Sequence, residues 1–236
     1  KYIAWDVSNV TNMSYMFTSS STFNSDISNW NTSNAITMHS MFRTATKFNK
    51  TIGEKAVDFS ADGLGSYTAW DTSNVTTMQN MFYQASKFNN GSIDSSTGEA
   101  SSNPGPELYF DLSSLTTIHE MFYQASIFNS PIYRWDVSNI SHGSGLYNMF
   151  KQATNFDQEV RTWNLPSGIA RSNMFDGVYT FITAGEDWND ESAQATPPVQ
   201  FWDLYRDNNS KLYSEDITST TIDGTETTSY TYTPLS

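Results

Sequence analysis

Apolar and polar positions along this chain follow one long pattern that repeats. Trp5-Asp6-Val7-Ser8-Asn9-Val10-Thr11-Asn12-Met13 returns as Trp30-Asn31-Thr32-Ser33-Asn34-Ala35-Ile36-Thr37-Met38 and as Trp70-Asp71-Thr72-Ser73-Asn74-Val75-Thr76-Thr77-Met78. Further copies open at Phe110-Asp111-Leu112, Trp135-Asp136-Val137 and Trp163-Asn164-Leu165. Each is followed by a Met-Phe pair: Met16-Phe17, Met41-Phe42, Met81-Phe82, Met121-Phe122, Met149-Phe150 and Met174-Phe175. Then come Phe23, Phe48, Phe88, Phe128, Phe156 and Phe181. The starts, at 5, 30, 70, 110, 135 and 163, lie 25, 40, 40, 25 and 28 residues apart. The basic unit is therefore 25 residues, and each 40 is 25 plus 15. The extra pieces, 53–67 and 94–109, are rich in Gly, Ser, Asp or Pro and read as loops. They fall at the same corner of successive units, so they are expected to emerge on the same side.

A unit this small cannot bury its own apolar face, so stacking on its neighbours must supply the core. From Val10 to Phe17 the apolar steps of 3, 3 and 1 predict one face of a short helix or 3-10 turn. Ser8 and Asn9 just before it are N-cap types. Phe23 to Trp30 predicts a short strand region with a turn. Asn9, Asn34, Asn74 and Asn139 form one expected amide column, and Asn24, Asn49, Asn89 and Asn129 a second. An amide both donates and accepts, so either column can satisfy the backbone of each turn. Residues 1–190 are read as the repeat region and 191–213 as a degenerate repeat or cap. Residues 214–236 form a Ser/Thr-rich tail with strand character. There Asp223-Gly224 signals a hairpin turn, and Tyr230-Thr231-Tyr232-Thr233 alternates like a strand.

Composition narrows the function classes. The 236 residues include no cysteine, which removes disulfides, thiolate metal sites and cysteine nucleophiles. Lys plus Arg total 12 against 25 Asp plus Glu, a formal charge of −13 that argues against a nucleic-acid partner. No apolar run reaches the ~20 residues of a membrane span. Lys1 leads straight into the first unit, so no signal peptide is read, and a mature, processed chain would look the same.

The repeated pattern W-[DN]-x-S-N-V-x-x-M-x-x-M-F-x-x-A-x-x-F-N-x-x-I, over about residues 3–185, resembles the BspA-like surface-protein repeat, also seen in mycoplasma surface lipoproteins. The resemblance implies an extracellular, non-enzymatic, leucine-rich-repeat-like solenoid linked to adhesion. The chain departs from it in having no lipobox cysteine and in carrying the two corner insertions.

Candidate chemistry is sparse. His39 and His119 share a repeat slot with Ser14 and Gln79, which points to a solvent-facing position, and His142 lies in a three-residue insertion. Asp6, Asp71, Asp111 and Asp136 recur beside the unit-opening aromatic, where Asn31 and Asn164 also stand. Repetition favours a turn-stabilising role over a catalytic acid pair. A calcium role along that column is the weak functional remainder, because calcium takes oxygen ligands. Asp94, Glu99, Asp187, Asp190 and Glu191 are loop acids of the same standing. The Met-Phe and Trp columns read as core. Tyr67, Tyr83, Tyr109, Tyr123 and Tyr133 are the candidate binding surface, since exposed rings stack sugars or meet protein partners. Among eight N-x-[ST] triplets, Asn90 and Asn208 are the candidate glycan acceptors, because Asn9, Asn74 and Asn139 fall in a column expected to be buried.

The resulting expectation is a right-handed α/β repeat solenoid of six to seven coils, with short strands and short helical segments. It serves structure or adhesion at a cell surface, with no catalytic, cofactor or metal residues assigned. Self-association, surface proteins or glycans are the expected partners. One version is a head-to-tail fibre subunit whose tail pairs with a neighbour. The other is a monomeric adhesin using the corner loops and tyrosines, and a polysaccharide-active enzyme is the remaining class.

Overall fold

The computed structural model describes residues 5–60, 65–141, 143–158, 160, 163–166 and 168–178, together with the backbone of 213–222 and 225–234. The units opening at 5, 30, 70, 110, 135 and 163 are called coils 1 to 6. Successive coils lie side by side in register, with parallel bridges linking Asn12 to Thr37, Thr37 to Thr77 and Thr77 to Thr117.

The expected helix does not form. Between Met38 and Thr44 every second N–H leaves the coil: Met38, Ser40, Phe42 and Thr44 donate to the carbonyls of Thr77, Gln79, Met81 and Tyr83 at 2.7–3.1 Å. The alternate N–H groups close four-residue turns, from Met41 to Met38, Arg43 to Ser40 and Ala45 to Phe42. A helix would need all of these donors for its own ladder. Ser40 and Thr44 also have φ of 54° and 56°, which no right-handed helix contains. They sit at the third position of their turns, where a type II turn requires positive φ and usually takes Gly. The pattern recurs at Tyr15/Ser19, Asn80/Gln84, Glu120/Gln124 and Asn148/Gln152. A non-glycine residue there costs roughly 1–2 kcal/mol, and the coil-to-coil bonds offset it. The helix-like spacing has a simple origin. Turns that follow one another every two residues bring positions 38, 41, 42, 45 and 48 to one side, and Met38, Met41, Phe42, Ala45 and Phe48 are all fully buried. Phe23 to Trp30 likewise forms no strand, and closes through a turn from the Trp30 N–H to the Ile27 carbonyl.

The core is a set of ring columns. Phe17, Phe42, Phe82, Phe122, Phe150 and Phe175 stack at 5.5–5.6 Å between centroids. Phe23, Phe48, Phe88, Phe128 and Phe156 form a second column at 5.6–6.0 Å. Trp5, Trp30, Trp70, Phe110, Trp135 and Trp163 form a third at 5.9–6.4 Å. The buried indole N–H groups of Trp70 and Trp135 donate to the carbonyls of Ile27 and Leu108, so the tryptophans are also satisfied as donors.

The second asparagine column is a side-chain ladder. The Oδ1 atoms of Asn24, Asn49, Asn89 and Asn129 accept the backbone N–H of Asn49, Asn89, Asn129 and Asp157 at 2.7–2.9 Å. The first column is different. Asn34 and Asn74 donate Nδ2 to the Ser8 and Ser33 carbonyls of the preceding coil, but Asn9, Asn34, Asn74 and Asn139 are exposed rather than buried.

The two insertions fold differently. The first is an antiparallel hairpin, β1 (Lys55–Phe59) and β2 (Gly65–Ala69), rather than a loop. The second forms no strand of its own. It turns between Asp94 and Glu99 and is then held by the ladder: Asn89 Nδ2 donates to the carbonyls of Ser101 and Asn103, and Asn129 Nδ2 to that of Ser102. Gly105 packs so closely here that a Cβ would stand 2.5 Å from the Asn89 carbonyl oxygen and 2.6 Å from Ser130 Oγ. Gly105→Ala is expected to push the insertion off the ladder at a cost of about 1–3 kcal/mol. Urea denaturation checks this, and faster proteolysis within 94–109 should accompany it.

Farther along the chain, β3 (Tyr213–Ile222) and β4 (Thr225–Pro234) pair antiparallel, with Ile222 opposite Thr225. Two residues therefore connect them, at the Asp223-Gly224 turn signal.

Candidate functional site

The insertions meet at one corner of the stack. The Glu54 N–H donates to the Tyr109 carbonyl at 3.0 Å, joining the start of the first insertion to the end of the second. Tyr109 and Arg134 occupy the same repeat position at the ends of coils 3 and 4, immediately before the aromatics that open coils 4 and 5. Stacking therefore places the Arg134 guanidinium 4.5 Å from the centre of the Tyr109 ring. Arg134 also pairs with Glu107 at 3.5 Å, a bond that contributes little because Arg134 is 55% exposed. Tyr133 beside it is 53% exposed, and Ile93 at the base of the second insertion is 59% exposed.

The acids around this corner act mainly on Glu54. Partial burial, and then the neighbouring Asp71 and Asp111, raise its carboxyl above the ordinary value of 4.5, against an opposing pull from Arg134. A raised acid pKa means that the fold disfavours the charged form. The penalty is present at neutral pH and is lost as pH falls through the raised value. Glu54→Gln is thus expected to raise stability at neutral pH, by less than about 1 kcal/mol after solvent screening, with a higher melting temperature. The gain should vanish near pH 4, and parallel thermal melts at the two pH values check it. The Tyr109 phenol is also raised, first by burial and then by Glu54.

The five tyrosines do not share one surface. Tyr67, on β2, donates its hydroxyl to the Asn29 carbonyl at 2.5 Å. Tyr109 and Tyr133 lie at the insertion corner. Tyr83 and Tyr123 lie on the turn after the Met-Phe pair, half-buried, with rings 4.6 Å apart and parallel within 3°. Arg43 covers Tyr83 at 4.2 Å. Their facing sides are therefore spent on each other, which corrects the expectation of open stacking faces. Beside them a glutamine ladder links Gln84 to Gln124 and Gln124 to Gln152. Sequence reasoning missed this ladder and the Tyr109–Arg134 pair. Aligning the units position by position would have found both.

The aspartate column is spent on turns. Oδ1 of Asp6, Asp71, Asp111 and Asp136 accepts the N–H of Ser8, Ser73, Ser113 and Ser138 at 2.8–3.0 Å, and Asn31 does the same for Ser33. Asp94 makes the same bond to Ser96 in the second insertion. Hydrogen bonds from these serines hold Asp6 and Asp94 below the ordinary 3.8. Among the described residues no three or more His, Cys, Asp or Glu are grouped to hold a metal ion. No helix among them is long and apolar enough to cross a membrane.

His39 is half-buried, not solvent-facing, with Nε2 at 2.7 Å from the Tyr15 hydroxyl, and burial lowers its pKa. His119 Nδ1 meets Thr117 Oγ1 at 3.1 Å, and His142 lies outside the described residues. Asn90 is corrected as a glycan acceptor. It is fully buried, its Nδ2 donates to the carbonyls of Pro106 and Glu107, and its Oδ1 accepts the Ile52 N–H, so a glycan has no room. Asn208 lies outside the described residues, as do Asp187, Asp190 and Glu191.

No curated protein and no solved structure matches the chain. A family model described as "Mycoplasma protein of unknown function, DUF285" matches residues 2–104 and again 97–202. This agrees with the mycoplasma side of the repeat's resemblance, whereas the BspA-like assignment is not what matched. With the two matches covering most of its length, the protein belongs to this mycoplasma repeat family of unknown function.

Proposed function

We propose that the stacked coils form a solenoid that works at a cell surface as a non-enzymatic recognition frame, offering the insertion corner to a protein or glycan partner. One observation carries this reading. The two insertions abut at Glu54 and Tyr109, and the second holds Arg134 through Tyr109 and Glu107, next in sequence to the exposed Tyr133, on coils whose asparagine side chains are bonded to neighbouring coils. A rigid frame limits the ordering cost of binding, and amphipathic aromatic and Arg side chains are the types that anchor such contacts. The test is binding of the full chain to a glycan array and to intact cells, with Tyr133→Ala/Arg134→Ala alongside. Binding lost in the double variant, with melting unchanged, supports the corner. Binding equal in both proteins moves recognition elsewhere.

A further inference from the structure

We propose that Tyr83 and Tyr123 are a preformed oxidative cross-linking site, which joins coils 3 and 4 through an intrachain dityrosine bond. The inference rests on geometry. The two phenols are 40 residues apart in sequence and face to face in space, at 4.6 Å and 3° between planes. Bonds on both sides fix their register. The Phe82 N–H donates to the Met121 carbonyl at 2.9 Å, the Gln84 N–H to the Tyr123 carbonyl at 2.7 Å, and the Gln84 side chain to that of Gln124 at 2.6 Å. Such an arrangement raises the effective concentration of one ring at the other far above that of rings on separate chains. Both residues are half-buried, so each keeps part of its surface open to an oxidant. Arg43 occupies the far face of Tyr83, which leaves Tyr123 as its ring partner. The same repeat position holds Thr18, Arg43, Lys151 and Asp176 in the other coils, so the column contains one tyrosine pair. Among the described residues it is also the one tyrosine–tyrosine ring contact.

The oxidant is hydrogen peroxide acting through a haem peroxidase. Each phenol gives up one electron and one proton to become a phenoxyl radical. The radicals couple through carbons ortho to the oxygens, forming one carbon–carbon bond. The two ortho hydrogens then move to the oxygens as aromaticity returns. The peroxide takes the two electrons and two protons and leaves as two waters. A covalent link of this kind restricts the unfolded chain as a disulfide does, and this chain has no cysteine with which to make one.

The test treats dilute full-length protein with horseradish peroxidase and hydrogen peroxide, isolates the monomer, and maps its cross-linked peptides by mass spectrometry. The expected result is that the main dityrosine product joins the Tyr83 and Tyr123 peptides with loss of two hydrogen atoms. It should be absent from Tyr83→Phe and from Tyr123→Phe, whose rings still stack. The same reaction on urea-unfolded wild-type protein is the second measurement, independent of how the variants fold, and this product should fall several-fold there. A monomer without dityrosine, a main product joining other tyrosines, or equal yield from folded and unfolded chains overturns the proposal.

Discussion

Asn89→Ala is expected to lower the unfolding free energy by about 3–5 kcal/mol. Asn89 is fully buried, and its side chain makes four hydrogen bonds. Nδ2 donates to the Ser101 and Asn103 carbonyls at 2.8 Å, and Oδ1 accepts from the Asn129 N–H at 2.7 Å and Ser130 Oγ at 3.0 Å. Truncation leaves the buried Asn129 N–H and Ser130 hydroxyl without this acceptor, and the desolvation cost of each exceeds the small net value of a made bond. Total stability of a domain is about 5–15 kcal/mol, so the loss is a large share of it. Asn24→Ala at the exposed end of the same ladder removes one bond, to the Asn49 N–H, and is expected to cost about 1 kcal/mol. Urea denaturation of both variants checks the contrast. Equal losses at the two positions would show that the ladder does not act through burial.

Phe122→Ala is expected to cost about 3–5 kcal/mol and also to change the form of unfolding. The Phe122 ring lies 3.8 Å from Phe128 within its coil, 5.5 Å from Phe82 before it and 5.6 Å from Phe150 after it. It is fully buried. The ring columns run from each coil to the next, so each interface contributes its own share of the stability. A cavity at coil 4 weakens two interfaces together and uncouples the coils on either side. Two unfolding steps are therefore expected where the wild type shows one, by circular dichroism and tryptophan fluorescence on the same samples. A single coincident transition with reduced midpoint would mean that the coils unfold as one unit despite the missing ring.

The columns were legible because equal spacing in sequence becomes adjacency in a stack. Aligning Asn24, Asn49, Asn89 and Asn129 forecasts a ladder, and one forms. Aligning the aspartates forecasts repeated turns, and each accepts the N–H two residues on. The hairpin at Asp223-Gly224 was equally local, since its turn chemistry lies in two adjacent residues. The helix expectation failed because the apolar spacing from Met38 to Phe48 suits a helix face and a run of turns alike. What separates them is the destination of each N–H, which sequence spacing does not encode.

The candidate site was less legible. Tyr109 and Arg134 were findable by alignment, but Glu54 belongs to an insertion with no counterpart in other units. Its approach to Tyr109 depends on how two insertions of different conformation pack. Asn90 shows the opposite error. Its triplet signals an accessible acceptor, yet the second insertion folds over it and takes both amide hydrogens.

By itself, then, the sequence determined the unit length, the stacking order of the core rings and which polar residues line up, because a repeat fixes its own register. The tertiary structure decided the turn-built backbone, the facing of Tyr83 on Tyr123 and the insertion corner. Those depend on hydrogen bonds between residues some 25 to 40 positions apart, whose partners exist only once the next coil is in place.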